Sequence, residues 1–166
     1  MRKSTKRLVT AALLTALVCV ATLIIRIPSP FKGYINLGDC IVLLAGWLLS
    51  PGYGFLTAGI GSALADLISG YAVYMPATFV IKGFTALTAY MMHKLISRRL
   101  KELPSGIISG IIAETVMTGG YYLFEGVLYG FAASAVNIPM NLFQGAVGII
   151  LGVTLVKIIK MTKITF

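Results

Sequence analysis

The sequence predicts an all-α membrane protein: a compact bundle of six transmembrane helices with both termini in the cytoplasm. Three observations support this. Hydrophobic residues make up 58% of the 166 residues and charged residues only 11%, with a mean hydropathy of +0.93, whereas soluble domains carry about 25% charged residues. The apolar residues form long runs. The basic residues gather at the ends of those runs, as is typical of membrane proteins.

Six apolar stretches can be drawn along the chain. A helix needs about 20 residues, at 1.5 Å each, to cross the hydrocarbon core of a bilayer. The first stretch and the last three are long enough, whereas the second is short and only Ser50-Pro51-Gly52 separates it from the third. No linker or low-complexity segment divides the chain, so we expect one domain over residues 1–166. The predicted spans cover about 8–26, 37–50, 52–69, 76–95, 104–126 and 134–158.

The first stretch follows a basic N-terminus and therefore resembles a signal peptide. However, the apolar run from Leu8 to Ile25 is too long for the hydrophobic region of a typical signal peptide, and no small-x-small cleavage site follows it. We therefore expect it to be retained as the first span.

The distribution of basic residues predicts the orientation. With a cytoplasmic N-terminus, the outer side carries only Arg26 and Lys32, and three basic clusters face the cytoplasm. The positive-inside rule favours this arrangement, and an odd number of spans would move the last cluster outside. The cytoplasmic clusters are Arg2, Lys3, Lys6 and Arg7, then Lys94, Arg98, Arg99 and Lys101, then Lys157, Lys160 and Lys163.

Several function classes find no support in the sequence. The net charge of +9 is explained by orientation in the membrane, so we expect no nucleic-acid partner. There is no Gly-x-Ser-x-Gly elbow, no His-Glu-x-x-His and no phosphate-binding loop; we therefore predict neither an enzyme nor a cofactor of its own. Cys19 and Cys40 form no Cys-x-x-Cys motif and lack a neighbouring histidine cluster, so no metal site is expected.

Polar side chains inside the predicted spans carry the functional prediction. Lys82 lies six residues after Pro76, roughly 9 Å below the outer boundary. An ionisable group at that depth costs at least ~2.5–3.5 kcal/mol and marks a functional site by default. Two helical stripes could face it, one on the fifth span and one on the sixth. They are Glu114, Thr118, Tyr121 and Glu125, and Asn137, Asn141 and Gln144.

The same residues also have ordinary structural explanations. Lys82 could pair with Glu114 or Glu125 as an internal ion pair, and the amides could form interhelical hydrogen bonds. Asn36 and Asp39 precede the second span, where helix capping is the expected use. Tyrosines near the outer ends suit an interfacial aromatic belt, although one or two of them could also stack on a flat heterocyclic ligand.

Ala12 and Ala16 form a small-xxx-small pair on the first span. Such a face lets two helix backbones approach closely. It would either pack inside the bundle or face another membrane subunit, and the sequence leaves both alternatives open.

Several motifs together resemble a known family, the substrate-binding S components of energy-coupling factor (ECF) vitamin transporters. The resemblance covers most of the chain and is strongest from about 33 to 90. It is closest to the branch described for riboflavin, pyridoxine or hydroxymethylpyrimidine. The motifs are Ala12-x-x-x-Ala16, Gly33-Tyr-Ile-Asn-Leu-Gly-Asp39, Leu44-Ala-Gly-Trp-Leu-Leu-Ser-Pro-Gly52, Ala58-Gly-Ile-Gly-Ser-Ala-Leu-Ala-Asp66 and Pro76-Ala-Thr-Phe-Val-Ile-Lys-Gly83.

The resemblance implies a subunit of the bacterial-type cell membrane that captures a vitamin on the outer side. It would dock through the Ala12/Ala16 face onto a transmembrane coupling subunit, which is driven by two cytoplasmic ATPases that use the ATP. Carried over to this sequence, the expected substrate contacts are Asn36 and Tyr74 in the outer loops and Lys82, Glu114, Tyr121, Asn137 and Asn141 on the helices.

These residue types suit a small, flat heterocycle with several hydrogen-bonding groups. Pyridoxine-like vitamers or hydroxymethylpyrimidine fit best, and riboflavin is larger. The alternative function is a self-sufficient secondary transporter or channel, although 166 residues leave little room for the repeated halves of most such carriers. An intramembrane enzyme ranks third.

Overall fold

The computed structural model describes residues 3–28 and 34–162. In this part of the chain, seven helices of 5 to 28 residues account for most of the backbone. The helices are α1 (Lys3–Ile24), α2 (Gly38–Leu48), α3 (Pro51–Ile68), α4 (Met75–Ile96), α5 (Glu102–Tyr129), α6 (Phe131–Ala135) and α7 (Ile138–Met161), with two strands, β1 (Arg26–Pro28) and β2 (Tyr34–Asn36), between α1 and α2. Lys32 of the predicted outer loop, and Arg2 and Lys163 of the basic clusters, lie outside the described residues.

The six-helix membrane bundle predicted from the sequence is confirmed, and the structure differs from the prediction in three details. Residues 26–28 and 34–36 were expected in a loop, yet they pair as an antiparallel two-stranded sheet in which Ile27 faces Ile35. Each strand has only three residues, too few for an alternating pattern to be recognised. The sixth predicted span, 134–158, lies mostly in α7, but its first residues fall in α6 and in the turn that follows, so Asn137 precedes α7 instead of lying on the helix. Gly130, with a φ of +91°, separates α6 from α5.

The second predicted span does not cross the bilayer by itself. α2 has 11 residues and is therefore about 16 Å long, roughly half of the ~30 Å hydrocarbon core. Within the described chain, three segments are both long and apolar enough to cross a membrane: Thr5–Ile24, Glu102–Tyr129 and Phe131–Met161. α3 and α4 have 18 and 22 residues, which is sufficient in length, but they contain more polar positions.

α2 is the central helix of the bundle. Residues 38–46 are all buried, and the helix contacts α1, α3, α4 and α7. A helix that is apolar on every side is stable only when other helices surround it. The apolar composition that makes α2 look like a membrane span therefore places it in the middle of the protein.

α1 packs on this centre with one face only. Ala11, Leu14 and Val18 are buried, whereas Ala12 and Ala16 are exposed. The sequence left two alternatives open for the Ala12/Ala16 face, packing inside the bundle or contact with another subunit. Because both residues are exposed, this face does not pack inside the described bundle.

α2 and α4 approach each other closely at Gly46. A Cβ atom at this position would lie 2.5 Å from the carbonyl oxygen of Ala86 and 2.9 Å from the Cβ of Ala89. Because one of these atoms belongs to the backbone of α4, the contact cannot be relieved by a side-chain rotation. The absence of a side chain at Gly46 therefore sets the distance between these two helices.

The Gly46→Ala variant should be destabilised by about 1–3 kcal/mol, the usual effect of overpacking, and its thermal unfolding temperature in detergent should fall. Gly119→Ala on α5 is the matched control, because a Cβ there meets no described atom within 4 Å. Alanine also favours a helix over glycine by about 0.8–1 kcal/mol, so the control should be neutral or stabilised. Equal unfolding temperatures for the two variants would contradict the close contact.

Candidate functional site

A buried ion pair joins α2 to α4. The Lys82 amine donates a hydrogen bond to Oδ1 of Asp39, and the two residues are 3% and 0% exposed. The Gln144 amide on α7 donates to Oδ2 of Asp39 at 2.5 Å, and its carbonyl oxygen accepts the backbone N–H of Asn36 at 2.8 Å. One continuous polar network therefore connects β2, α2, α4 and α7.

The sequence assigned Asp39 a role that the structure contradicts. The sequence offered Glu114 or Glu125 as partners for Lys82 and assigned Asp39 to helix capping, but Asp39 holds the lysine. The capping contact comes from Asn36 instead, whose side-chain oxygen accepts the N–H of Gly38 at 2.8 Å. Because α2 begins inside the bundle rather than at its surface, a carboxylate in its first turn is buried.

Glu114 on α5 is buried beside this network, with only 4% of its surface exposed. Asp39 and Lys82 are its charged neighbours. Neither carboxyl oxygen of Glu114, nor the hydroxyl of Thr118 one turn further along α5, has a hydrogen-bond partner among the described residues. Buried polar groups normally have partners, so each exception needs an explanation such as a proton, a water molecule or a ligand.

A small cavity of about 40 Å³ lies between the network and the end of the bundle where α4 begins. This volume accommodates roughly one or two water molecules. Its walls come from β2, α3, the α3–α4 turn, α4, α5 and α7. The lining residues are Tyr34, Asp66, Tyr71, Tyr74, Thr78, Tyr121, Glu125 and Asn141.

One wall of the cavity is organised by Asp66, at the end of α3. Its Oδ1 accepts a hydrogen bond from the Tyr34 hydroxyl at 2.7 Å. Burial raises the pKa of Tyr34, and the neighbouring Asp66 charge raises it further, so this hydroxyl stays protonated and acts as a donor. In the sequence, Asp66 stands out only as the last residue of a family motif, and Tyr34 lies on a strand that was not predicted.

The opposite wall is organised by Glu125, which is 4% exposed. Asn137 donates to its Oε2 at 2.9 Å, and the hydroxyl of Tyr74 donates to its Oε1 at 3.4 Å. Glu125 is therefore enclosed by the protein and is not solvated at the end of the bundle. Two carboxyl groups, each held by protein donors, therefore border the cavity.

Tyr121 connects the cavity to the ion pair below it. Its hydroxyl donates to Thr78 Oγ1 at 3.0 Å, and the Lys82 amine lies 5.5 Å from the centre of its ring. A cation within about 6 Å of an aromatic ring is attracted by the π-system. The tyrosine ring therefore separates the cavity from the lysine and contacts both.

The seven substrate contacts expected from the sequence fall into three groups. Tyr74, Tyr121 and Asn141 line the cavity. Asn36 and Lys82 belong to the polar network below it, where Glu114 is their buried neighbour. Asn137 contacts the cavity through Glu125. The residues absent from the expected set are Asp39, Gln144, Asp66, Tyr34 and Glu125.

The fold and this site define a class: a helical membrane protein that encloses a polar, tyrosine-rich site between its helices, a form suited to holding a small solute. The chain belongs to the family described as the ECF-type riboflavin transporter, S component, whose family model matches residues 2–161. The resemblance noted in the sequence is thereby confirmed. Members of this family are transporter components and not enzymes.

Two relatives match over nearly the whole chain. An uncharacterized protein from Pyrococcus woesei is 35% identical over 144 residues, covering 86% of this chain and 94% of that protein. The thiamine precursor transporter HmpT from Lactococcus lactis subsp. cremoris (strain MG1363) is 27% identical over 164 residues, covering 98% and 92%.

Two solved structures share the fold. The S component of a bacterial ECF transporter superposes with a TM-score of 0.75 at 27% identity, covering 96% of this chain and 98% of that one. The S component for biotin from an ECF-type ABC transporter superposes with a TM-score of 0.59 at 19% identity, covering 95% of each chain. At 19% identity the likeness concerns the fold alone.

The Lys82→Met variant should lose about 3–5 kcal/mol of stability, because it leaves the buried Asp39 carboxylate without its partner. The double variant Asp39→Asn/Lys82→Met should recover much of that loss, since no unpaired charge remains. Thermal unfolding of the three proteins in detergent measures this.

Lys160→Met is the control for this prediction. Lys160 also pairs with a carboxylate, that of Glu102, but both side chains are about half exposed, and exposed ion pairs contribute about 0–1 kcal/mol. A Lys82→Met variant no less stable than Lys160→Met would show that the buried pair does not hold α2 to α4.

Proposed function

We propose that this chain is the substrate-capture subunit of an ECF-type vitamin importer, and that it binds a small heterocyclic vitamin or vitamin precursor on the outer side. The observation that carries the proposal is the stacked arrangement of two sites. A cavity lined by tyrosines, Asp66, Glu125 and Asn141 lies directly above the buried Lys82 and above Glu114, whose carboxyl oxygens have no hydrogen-bond partner among the described residues. Intramembrane groups of this kind mark substrate pathways.

Substrate binding requires the cavity to open. Ligand pockets usually measure about 300–1,000 Å³, whereas this cavity measures about 40 Å³. Its walls include aromatic rings that contact each other: the ring centres of Tyr34 and Tyr71 are 5.0 Å apart, and those of Tyr71 and Tyr74 are 6.1 Å apart. A flat ligand would replace these ring–ring contacts with stacking on its own faces.

The polar groups favour a ligand rich in hydrogen-bond donors. Asp66 and Glu125 are acceptors at the cavity wall. The two carboxyl oxygens of Glu114, which have no partner in the described part of the chain, lie deeper. Amino and hydroxymethyl groups on a pyrimidine or pyridine ring would satisfy such acceptors. A pyridoxine-like vitamer or hydroxymethylpyrimidine is therefore our favoured substrate, in line with the relative named as a thiamine precursor transporter. Riboflavin, named in the family description, requires a wider opening.

The energy for import would come from partner subunits. We propose that the chain acts as a single substrate-binding domain in a bacterial-type cell membrane, with its termini in the cytoplasm. A transmembrane coupling subunit and two cytoplasmic ATPases would complete the importer, and the ATPases would use the ATP. The exposed Ala12 and Ala16 on α1 offer the coupling subunit a surface where a second helix can approach closely.

The substrate should copurify with the protein and be identified by mass spectrometry. Glu114→Gln, which keeps the side-chain shape, should then weaken affinity for that molecule more than tenfold, or about 1.4 kcal/mol, because a carboxylate acceptor is lost. Isothermal titration calorimetry measures the change. Thr115→Ala is the control, since Thr115 is exposed on the neighbouring face of α5. An affinity within twofold of the unmodified protein for Glu114→Gln would place the substrate elsewhere.

The variant Ala12→Leu/Ala16→Leu should still bind substrate but fail to assemble with the coupling subunit, because three added carbon atoms at each position would hold the partner helix away. Co-purification of the complex measures assembly. Leu13→Phe is the control, because Leu13 is 57% exposed at the intervening position and already carries a large side chain.

Substrate uptake by this chain alone, in vesicles without ATPases, would instead favour a self-sufficient transporter.

A further inference from the structure

We propose that a second cavity, at the opposite end of the bundle, binds one anionic phospholipid, with an acyl chain inside and the phosphate at Lys157 and Lys160. The cavity measures about 590 Å³ and lies between the last turns of α2, α4 and α7 and the first turns of α5. It shares no residue with the tyrosine-lined cavity. The proposal therefore does not depend on the identity of the vitamin.

The cavity exists because α2 is short. α2 ends at Leu48, whereas its neighbours α4 and α7 continue to Ile96 and Met161. Beyond the end of α2, the space between α4, α5 and α7 is left without a central helix. The length of α2 is a backbone property, so this space does not result from one chosen side-chain rotamer.

Trp47, in the last turn of α2, closes the inner end of the cavity. Its indole N–H donates to Ser109 Oγ on α5 at 3.1 Å. A Cβ at Gly152 of α7 would lie 3.1 Å from the indole ring. The ring is therefore held between α5 and α7, and the wall that it forms is fixed.

The interior suits hydrocarbon rather than a polar solute. Leu48, Leu103, Val153 and Val156 contribute apolar walls. A polar molecule inside this cavity would lose its hydration without gaining enough hydrogen bonds in return. The opening is flanked by exposed apolar side chains, with Leu103 57% and Met161 74% exposed, so the cavity is continuous with the surface that faces lipid acyl chains.

The mouth is positively charged. Lys157 and Lys160 are exposed at the rim, and Lys160 forms an ion pair with Glu102 across it. Of the five acidic residues in the sequence, Glu102 is the one at this end of the helices, where Lys94, Arg98, Arg99 and Lys101 also lie. Basic pockets between transmembrane helices at the cytoplasmic side attract anionic head groups. The apolar interior suits a lipid acyl chain, and the basic rim suits a negative head group. Together they favour an anionic phospholipid.

Native mass spectrometry of the full-length protein in mild detergent tests this assignment. With phosphatidylglycerol added, we expect one lipid per protein to be retained, at least fivefold more than phosphatidylcholine under the same conditions. The variant Lys157→Gln/Lys160→Gln should lose that preference. Arg98→Gln/Arg99→Gln removes the same charge from exposed positions outside the cavity lining and should keep it.

A second pair of variants tests the cavity itself without changing its charge. Gly106 lines the cavity, and within the described chain a Cβ there approaches only Val153, at 3.3 Å. Gly106→Leu should therefore fill the space and reduce lipid retention at least fivefold. Gly119→Leu, on the same helix, should leave lipid retention unchanged, because a Cβ at Gly119 meets no described atom within 4 Å.

Three results would overturn the proposal. Equal retention of phosphatidylcholine and phosphatidylglycerol would remove the selection for charge. Equal losses in the Lys157/Lys160 and Arg98/Arg99 variants would indicate general attraction to a basic surface. If Gly106→Leu retained lipid normally but lost a copurifying protein subunit, the cavity would be a protein docking site instead. Vitamin binding at the other end should persist in every variant, so its loss would concern the proposed function instead.

Discussion

The pairing of Asp39 with Lys82 is the constraint on which the rest of the structure depends. Both charges are withdrawn from water and lipid, where an isolated ion would cost several kcal/mol. The lysine neutralises one carboxylate oxygen, and Gln144 donates to the other. Because Asp39 lies in the first turn of the central helix, satisfying its two oxygens fixes α4 on one side of α2 and α7 on another. The depth and rotation of α4 and α7 relative to α2, and the distances between these helices, are therefore set by the same group of contacts.

The ion pair also determines what remains available to a ligand. Lys82 is already engaged by Asp39, so Glu114 is left inside the bundle without a hydrogen-bond partner among the described residues. The ring of Tyr121 lies over the lysine and forms part of the cavity above. A substrate entering that cavity would meet tyrosines and carboxylates first and the charged network second. Membership of the S-component family agrees with a chain that holds a solute but carries out no chemistry on it.

The short central helix explains why the two ends of the bundle differ. At the end where α2 begins, its first turn carries Asp39 and is surrounded by polar partners from α4 and α7. At the end where α2 stops, no central helix fills the space, and an apolar cavity with a basic rim results. An 11-residue helix inside a bundle of longer helices thus produces a polar site at one end and a larger, mostly apolar cavity at the other.

The sequence by itself determined the features that depend on short-range order. Long apolar runs and clustered basic residues predicted a six-helix membrane bundle, and spacings of four and seven residues placed Glu114, Thr118 and Tyr121 on one helix face. Only the tertiary structure decided which faces meet. Asp39 and Lys82 are 43 positions apart, and Asp39 and Gln144 are 105 apart, so their contacts depend on how deep each helix sits. The same holds for the two-stranded sheet and both cavities, because helix periodicity specifies the direction of a side chain but not the neighbour it finds.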